Sequence, residues 1–165
     1  MFQLKPISRE SIPAAIEKAE RYRLLNEPSQ TESICLDILE ADPQNDKAII
    51  VLLLAITDQF IASSSGDVNR ARQLLPRLQN EYEKNYYAGI ICEREGMAVF
   101  NRSMMGSQFA VYEWLSEAME FYEKAEAIRP TGNDDALLRW NTCARMIMRH
   151  NLKPMNERYV EPPLE

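Results

Sequence analysis

Apolar residues spaced three and four apart recur along most of this chain, and nearly every run is halted by a turn built on proline, asparagine or aspartate. Such a pattern dictates successive helices, each with one face to bury. Glycine-based strand–turn–strand signals are nearly absent: the chain has 5 glycines and 9 prolines in 165 residues. That length suits one domain with a single core. A hydrophobic share of 45% fits a globular chain and is too high for a disordered one.

Seven helices are expected. The first runs from about Ser11 to Asn26, capped by Ser8 or Ser11 and closed by Asn26-Glu27-Pro28. The second spans about Ser29 to Ala41 and stops at Asp42-Pro43, so the pair reads as an antiparallel hairpin. A third helix is expected over Asn45 to Ala62, then a loop at Ser63 to Gly66. A fourth would start with Asp67 as its cap and reach Tyr82, kinked or broken at Pro76. The fifth covers roughly Asn85 to Arg102, with a turn from Ser103 to Ser107. The sixth covers Gln108 to Ile128, and the seventh Asp135 to His150 with Asn133 or Asp134 as cap. The organisation expected is one helical domain over residues 8–150 and a proline-containing tail over 151–165.

The unit from Ile12 to Asn45 has Tyr22 late in its first helix, Thr31, Cys35 and Ile38 in its second, and Pro43 at its close. Ala118, Tyr122, Ala125 and Pro130 mark out the end of the sixth helix in the same way. This spacing resembles the tetratricopeptide repeat. The segment Gly132-Asn133-Asp134-Asp135-Ala136, followed by Arg139-Trp140-Asn141, is similar to a bacterial branch of that family. The resemblance implies an all-α, right-handed α-solenoid of about three helix hairpins with a C-terminal capping helix. Small residues at fixed spacing let helices approach closely, and hairpins that cannot bury a face alone must stack. A generic all-α bundle remains the competing architecture, since seven helices with short turns serve both.

Motifs for chemistry are sparse. Cys35, Cys92 and Cys143 lie far apart with no CxxC, and His150 is the sole histidine, so neither a disulfide framework nor a zinc site is expected. Buried reduced thiols are the simpler reading. There is no GxSxG, GxGxxG or Walker sequence. No cofactor or metal is expected, and no catalytic residue is assigned. Glu113, Glu117, Glu120, Glu123 and Glu126 line the sixth helix, while Arg139, Arg145, Arg149 and His150 follow on the seventh. These two helices are expected to pair electrostatically. Asn133-Asp134-Asp135 reads as helix capping, Trp114 and Trp140 as packing between helices, and Glu93-Arg94-Glu95 has no identifiable partner.

The balance of 19 Lys+Arg against 25 Asp+Glu gives a net charge of −6, which argues against duplex nucleic acid as a partner. Residues 48–56 (AIIVLLLAI) are too short to cross a bilayer, which takes about 20 apolar residues. The opening residues 1–13 lack the basic start and apolar stretch of a secretory leader, so a cytoplasmic location is expected. In the repeat family the first helix of each unit lines a concave groove. The resemblance therefore implies a non-catalytic adaptor or scaffold that binds a partner peptide or protein through that groove. Glu20, Arg23, Lys47, Asp58, Glu95, Asn141 and Arg145 are the candidates to face it, with Ile50 and Leu54 as an apolar floor. Alternatives are a cytoplasmic chaperone for secreted substrates, or a metal-dependent or small-molecule enzyme using Glu113, Glu117, Glu120 and Asp134. Apolar end faces also admit a homodimer, and Tyr159 and Val160 are the candidate anchors for the tail filling the groove in place of a partner.

Overall fold

The computed structural model describes residues 1–62, 66–102 and 106–155. The expected loop residues Ser63 to Ser65 and Ser103 to Met105, and the tail anchors Tyr159 and Val160, lie outside the described residues. Among the described residues there are seven α-helices and no strand: α1 (Ile12–Leu24), α2 (Pro28–Ala41), α3 (Asp46–Thr57), α4 (Gly66–Leu74), α5 (Glu81–Arg102), α6 (Ser107–Ala127) and α7 (Asp135–Arg149). The chain is all-α, as its periodicity requires. No described helix is long and apolar enough to cross a membrane.

Helix boundaries follow local chemistry. After α1 the chain turns through Asn26 in the left-handed region (φ 59°), and the Glu27 amide donates to the Tyr22 carbonyl at 2.9 Å. Pro28 then opens α2 in its first turn, where a missing N–H costs nothing. Asn45 caps α3 by accepting from the Ala48 amide at 3.0 Å. The hairpin α1–α2 is fastened internally by Thr31, which is buried and donates its hydroxyl to the Ala19 carbonyl at 2.9 Å.

Several expected boundaries move. Neither Ser8 nor Ser11 caps α1 through its side chain; the Ser11 hydroxyl donates to the Ser8 carbonyl inside a short 3-10 turn, Arg9–Ser11. Helix α3 stops at Thr57 instead of Ala62, because Gln59, Phe60 and Ala62 bond three residues back and tighten the chain into turns. Asp67 lies within the first turn of α4, where it accepts from Arg70 at 3.0 Å, and does not precede the helix. Pro76 breaks the chain: α4 ends at Leu74 and a 3-10 turn, Leu75–Arg77, follows. Helix α5 begins four residues earlier than expected, because Asn80 accepts from the Glu83 amide at 3.1 Å and nucleates the first turn.

Each helix packs on the next in sequence, and α3 also touches α1 and α5. The α5–α6 contact is the most extensive. Its closeness is explained by two glycines on α5. A Cβ at Gly89 would lie 2.7 Å from Cδ1 of Tyr122, inside van der Waals contact, and one at Gly96 would lie 3.1 Å from Cβ of Trp114. Ala118, Tyr122 and Ala125 of α6 are fully buried against this surface. The core forms two clusters. One gathers α1–α4 with Ile91 and Ala98 of α5, and the other gathers Ile90 and Cys92 of α5 with α6, α7 and Leu152.

Alanine is the better helix former by about 1 kcal/mol, yet Gly89→Ala is expected to destabilise the protein by about 1–3 kcal/mol through overpacking against Tyr122. Urea unfolding followed by circular dichroism measures this. The loss is expected to shrink when Tyr122→Leu is combined with it, because the obstructing ring is then gone.

Candidate functional site

The odd-numbered helices are joined by charged side chains. Arg23 near the end of α1 donates through Nε to Asp58, just past the end of α3, at 2.7 Å. Arg94 from the middle of α5 donates to the other oxygen of the same carboxylate at 2.8 Å. The preceding residue of α5, Glu93, accepts from the Tyr122 hydroxyl of α6 at 2.6 Å and from Arg139 of α7 at 3.1 Å. Glu93 is only 5% exposed, and these two donors satisfy its buried carboxyl oxygens. The Tyr122 hydroxyl, buried and facing that carboxylate, is held strongly in its protonated form.

Beside the Arg23–Asp58–Arg94 bridge lies an open groove of about 450 Å³ lined by α1, α3 and α5. Ile50, Val51, Leu54 and Tyr87 form its apolar surface. Glu20 and Lys47 stand at its polar wall and pair at 3.5 Å, and Leu24 projects at its edge, 85% exposed. Tyr87 is half-buried, and burial first, then the neighbouring Tyr86 and Glu83, pushes its hydroxyl up to about 12. It acts here as a neutral aromatic surface. Its ring meets Tyr86 edge-on at 5.1 Å between centroids, and Tyr86 in turn stacks on Tyr82 at 5.8 Å.

Of the residues expected at a groove, Glu20, Arg23, Lys47, Ile50 and Leu54 line this one, and Asp58 joins it through Arg23. The structure does not bring the remaining three here. Glu95 is buried and accepts from Arg102 at 3.3 Å, Asn141 is exposed on α7, and Arg145 lines a separate pocket between α5, α6 and α7. Sequence spacing passed over Val51, Leu24 and Tyr87. Tyr82 and Tyr86, one helical turn apart and followed directly by Tyr87, were the signal available for the aromatic surface.

Among the described residues no ion pair joins the acidic row of α6 to the basic side chains of α7, contrary to expectation. Glu117 meets Arg72 of α4 at 3.4 Å, Glu126 meets Arg129 at 3.4 Å, and Glu123 accepts from the Trp140 indole at 3.0 Å. Arg139 turns inward to Glu93 instead, because a buried carboxylate gains more from a cation than a solvated one does. Among the described residues no group of three His, Cys, Asp or Glu side chains is placed to hold a metal ion. Asn133 caps α7 by accepting from the Asp135 amide at 3.0 Å, while Asp134 pairs with Arg129 at 3.4 Å. Arg72 lies over the Trp114 ring at 5.3 Å, and both tryptophans pack against the core. His150 is exposed, with its ring against Phe100 at 4.7 Å. All three cysteines are free and buried, and burial pushes each thiol up to about 12.

No family model, curated protein or solved structure matches this chain.

Asp58→Ala leaves two part-buried guanidiniums without their shared carboxylate, and is expected to cost about 1–3 kcal/mol in urea unfolding. Arg23→Ala and Arg94→Ala are each expected to cost less, because the other arginine still satisfies Asp58. Since the thiolate is the reactive form, none of the three cysteines is expected to react with Ellman's reagent at pH 8 in the folded protein. All three are expected to react once guanidinium unfolds the chain.

Proposed function

We propose that this chain is a non-catalytic protein–protein interaction module that takes a segment of a partner peptide or protein in the groove between α1, α3 and α5. In this reading the helices form a right-handed stack of tetratricopeptide-like hairpins, α1–α2, α3–α4 and α5–α6, closed by α7. Contacts of α3 with both α1 and α5, beside the contacts between successive helices, support the stacking. The close α5–α6 approach at Gly89 supports the repeat-like role of Ala118, Tyr122 and Ala125.

The observation that carries the proposal is the groove itself: an open, half-buried apolar surface of Ile50, Leu54 and Tyr87, edged by Leu24 and walled by the Glu20–Lys47 pair. Its charges are already matched internally, since Arg23 is held by Asp58 and Lys47 by Glu20. Affinity would therefore come from apolar anchors seated on the floor, and the walls would set direction and register. The dispersed carboxylates of α6 give a metal-dependent reaction no comparable support.

Leu24 and Lys47 are exposed, so the double variant Leu24→Glu, Lys47→Glu alters the groove without disturbing the core. A partner captured by the wild-type chain is expected to bind this variant at least about tenfold more weakly in calorimetry. Asn141→Ala, on exposed α7, is expected to bind as the wild type does. Equal binding by all three proteins would refute the assignment of this groove.

A further inference from the structure

A second pocket, of about 250 Å³, opens between α5, α6 and α7 and takes no part in the groove described above. Met97, Leu115, Cys143 and Met146 supply its apolar walls, and Arg145 and Arg149 stand on it one helical turn apart. Both arginines are exposed and have no ion pair among the described residues. Seven of the twelve described arginines are ion-paired, among them Arg23 and Arg94 with Asp58, Arg70 with Glu32, Arg72 with Glu117 and Arg139 with Glu93. Arg9, Arg21 and Arg77 have no ion pair among the described residues either, but Arg145 and Arg149 stand together on one pocket. Glu93 also borders the pocket, but its two oxygens are engaged by Tyr122 and Arg139. The charge left facing the cavity is positive.

We propose that this pocket binds a small apolar carboxylate, with its carboxylate on Arg145 and Arg149 and its hydrocarbon part against Met97, Leu115, Cys143 and Met146. Planar guanidiniums recognise carboxylates through paired N–H donors, and two of them outweigh the partial negative charge of about half an electron at the end of α7. The walls suit hydrocarbon. The two thioethers are polarisable and adjust to an irregular chain, and Cys143 presents a neutral thiol. The volume sits at the small end of ligand pockets, enough for a chain of roughly eight carbons and too little for an extended peptide. This inference does not rest on the groove between α1, α3 and α5, and the two can fail separately.

Octanoate is the probe, titrated into the full chain by calorimetry and thermal shift, with octanol and octylammonium as chain-matched controls. Octanoate is expected to bind and to raise the melting temperature, since a ligand that prefers the folded state stabilises it. The R145A/R149A double variant is expected to weaken octanoate binding by about tenfold or more. Single R145Q and R149Q variants give the same readout should the double variant lose helicity. Failure of octanoate to bind overturns the proposal. So does equal binding of octanol or octylammonium, which would mark a merely greasy cavity, or unchanged binding in the arginine variants. Binding of a glutamate-containing hexapeptide in place of octanoate overturns it in favour of a peptide site.

Discussion

The approach of α5 to α6 at Gly89 is the constraint on which the second half of the molecule depends. Because α5 has no side chain at that point, the Tyr122 ring lies directly on its backbone, and its hydroxyl reaches Glu93 one turn further along α5 at 2.6 Å. Glu93 in turn draws Arg139 inward and sets how α7 lies on the pair. Aromatic packing, a short hydrogen bond and an ion pair thus act through one tyrosine. Removal of the carboxylate would strand a buried hydroxyl and a half-buried guanidinium together, which is more costly than losing either contact alone.

Asp58 plays a comparable part in the first half, by different means. It sits at the end of α3, where the helix dipole disfavours an anion, and two arginines from flanking helices more than offset this. The bridge fixes α1 and α5 relative to α3 on the side where the groove opens. The groove floor is therefore carried on helices whose spacing is set by charge, while its lining is apolar. Rigid positioning of this kind limits the ordering that a bound segment would otherwise have to impose.

Much of this was legible in the sequence. The 3/4 spacing gave seven helices, and Asn26-Glu27-Pro28, Asp42-Pro43 and Pro76 marked breaks that the structure keeps. Local signals failed where a residue had competing uses. Asp67 looked like a cap but pairs within its own helix with Arg70, and Asn80 was passed over although it nucleates α5. Charge pairing was the least legible feature. Arg139 has acidic residues nearby on α6, yet it takes Glu93 from 46 positions away, because burial and not proximity in sequence decides which carboxylate needs a cation. Helical spacing assigns a residue to a face, and only packing decides which helix that face meets. This is why Glu20, Arg23, Lys47, Ile50 and Leu54 share a groove while Glu95, Asn141 and Arg145 go elsewhere.

The division of the core also bears on how the chain acquires its structure. Adjacent residues of α5 serve different clusters, Ile91 the first and Ile90 the second, with Cys92 also in the second and Ala98 in the first. Helix α5 is thus common property, and neither half encloses its interior without it. During synthesis the first four helices would hold an unfinished apolar surface until residue 98 has emerged, and only then could that half close. The same helix would tie the two halves into one cooperative unit, so that loosening of either would be transmitted through a single shared element.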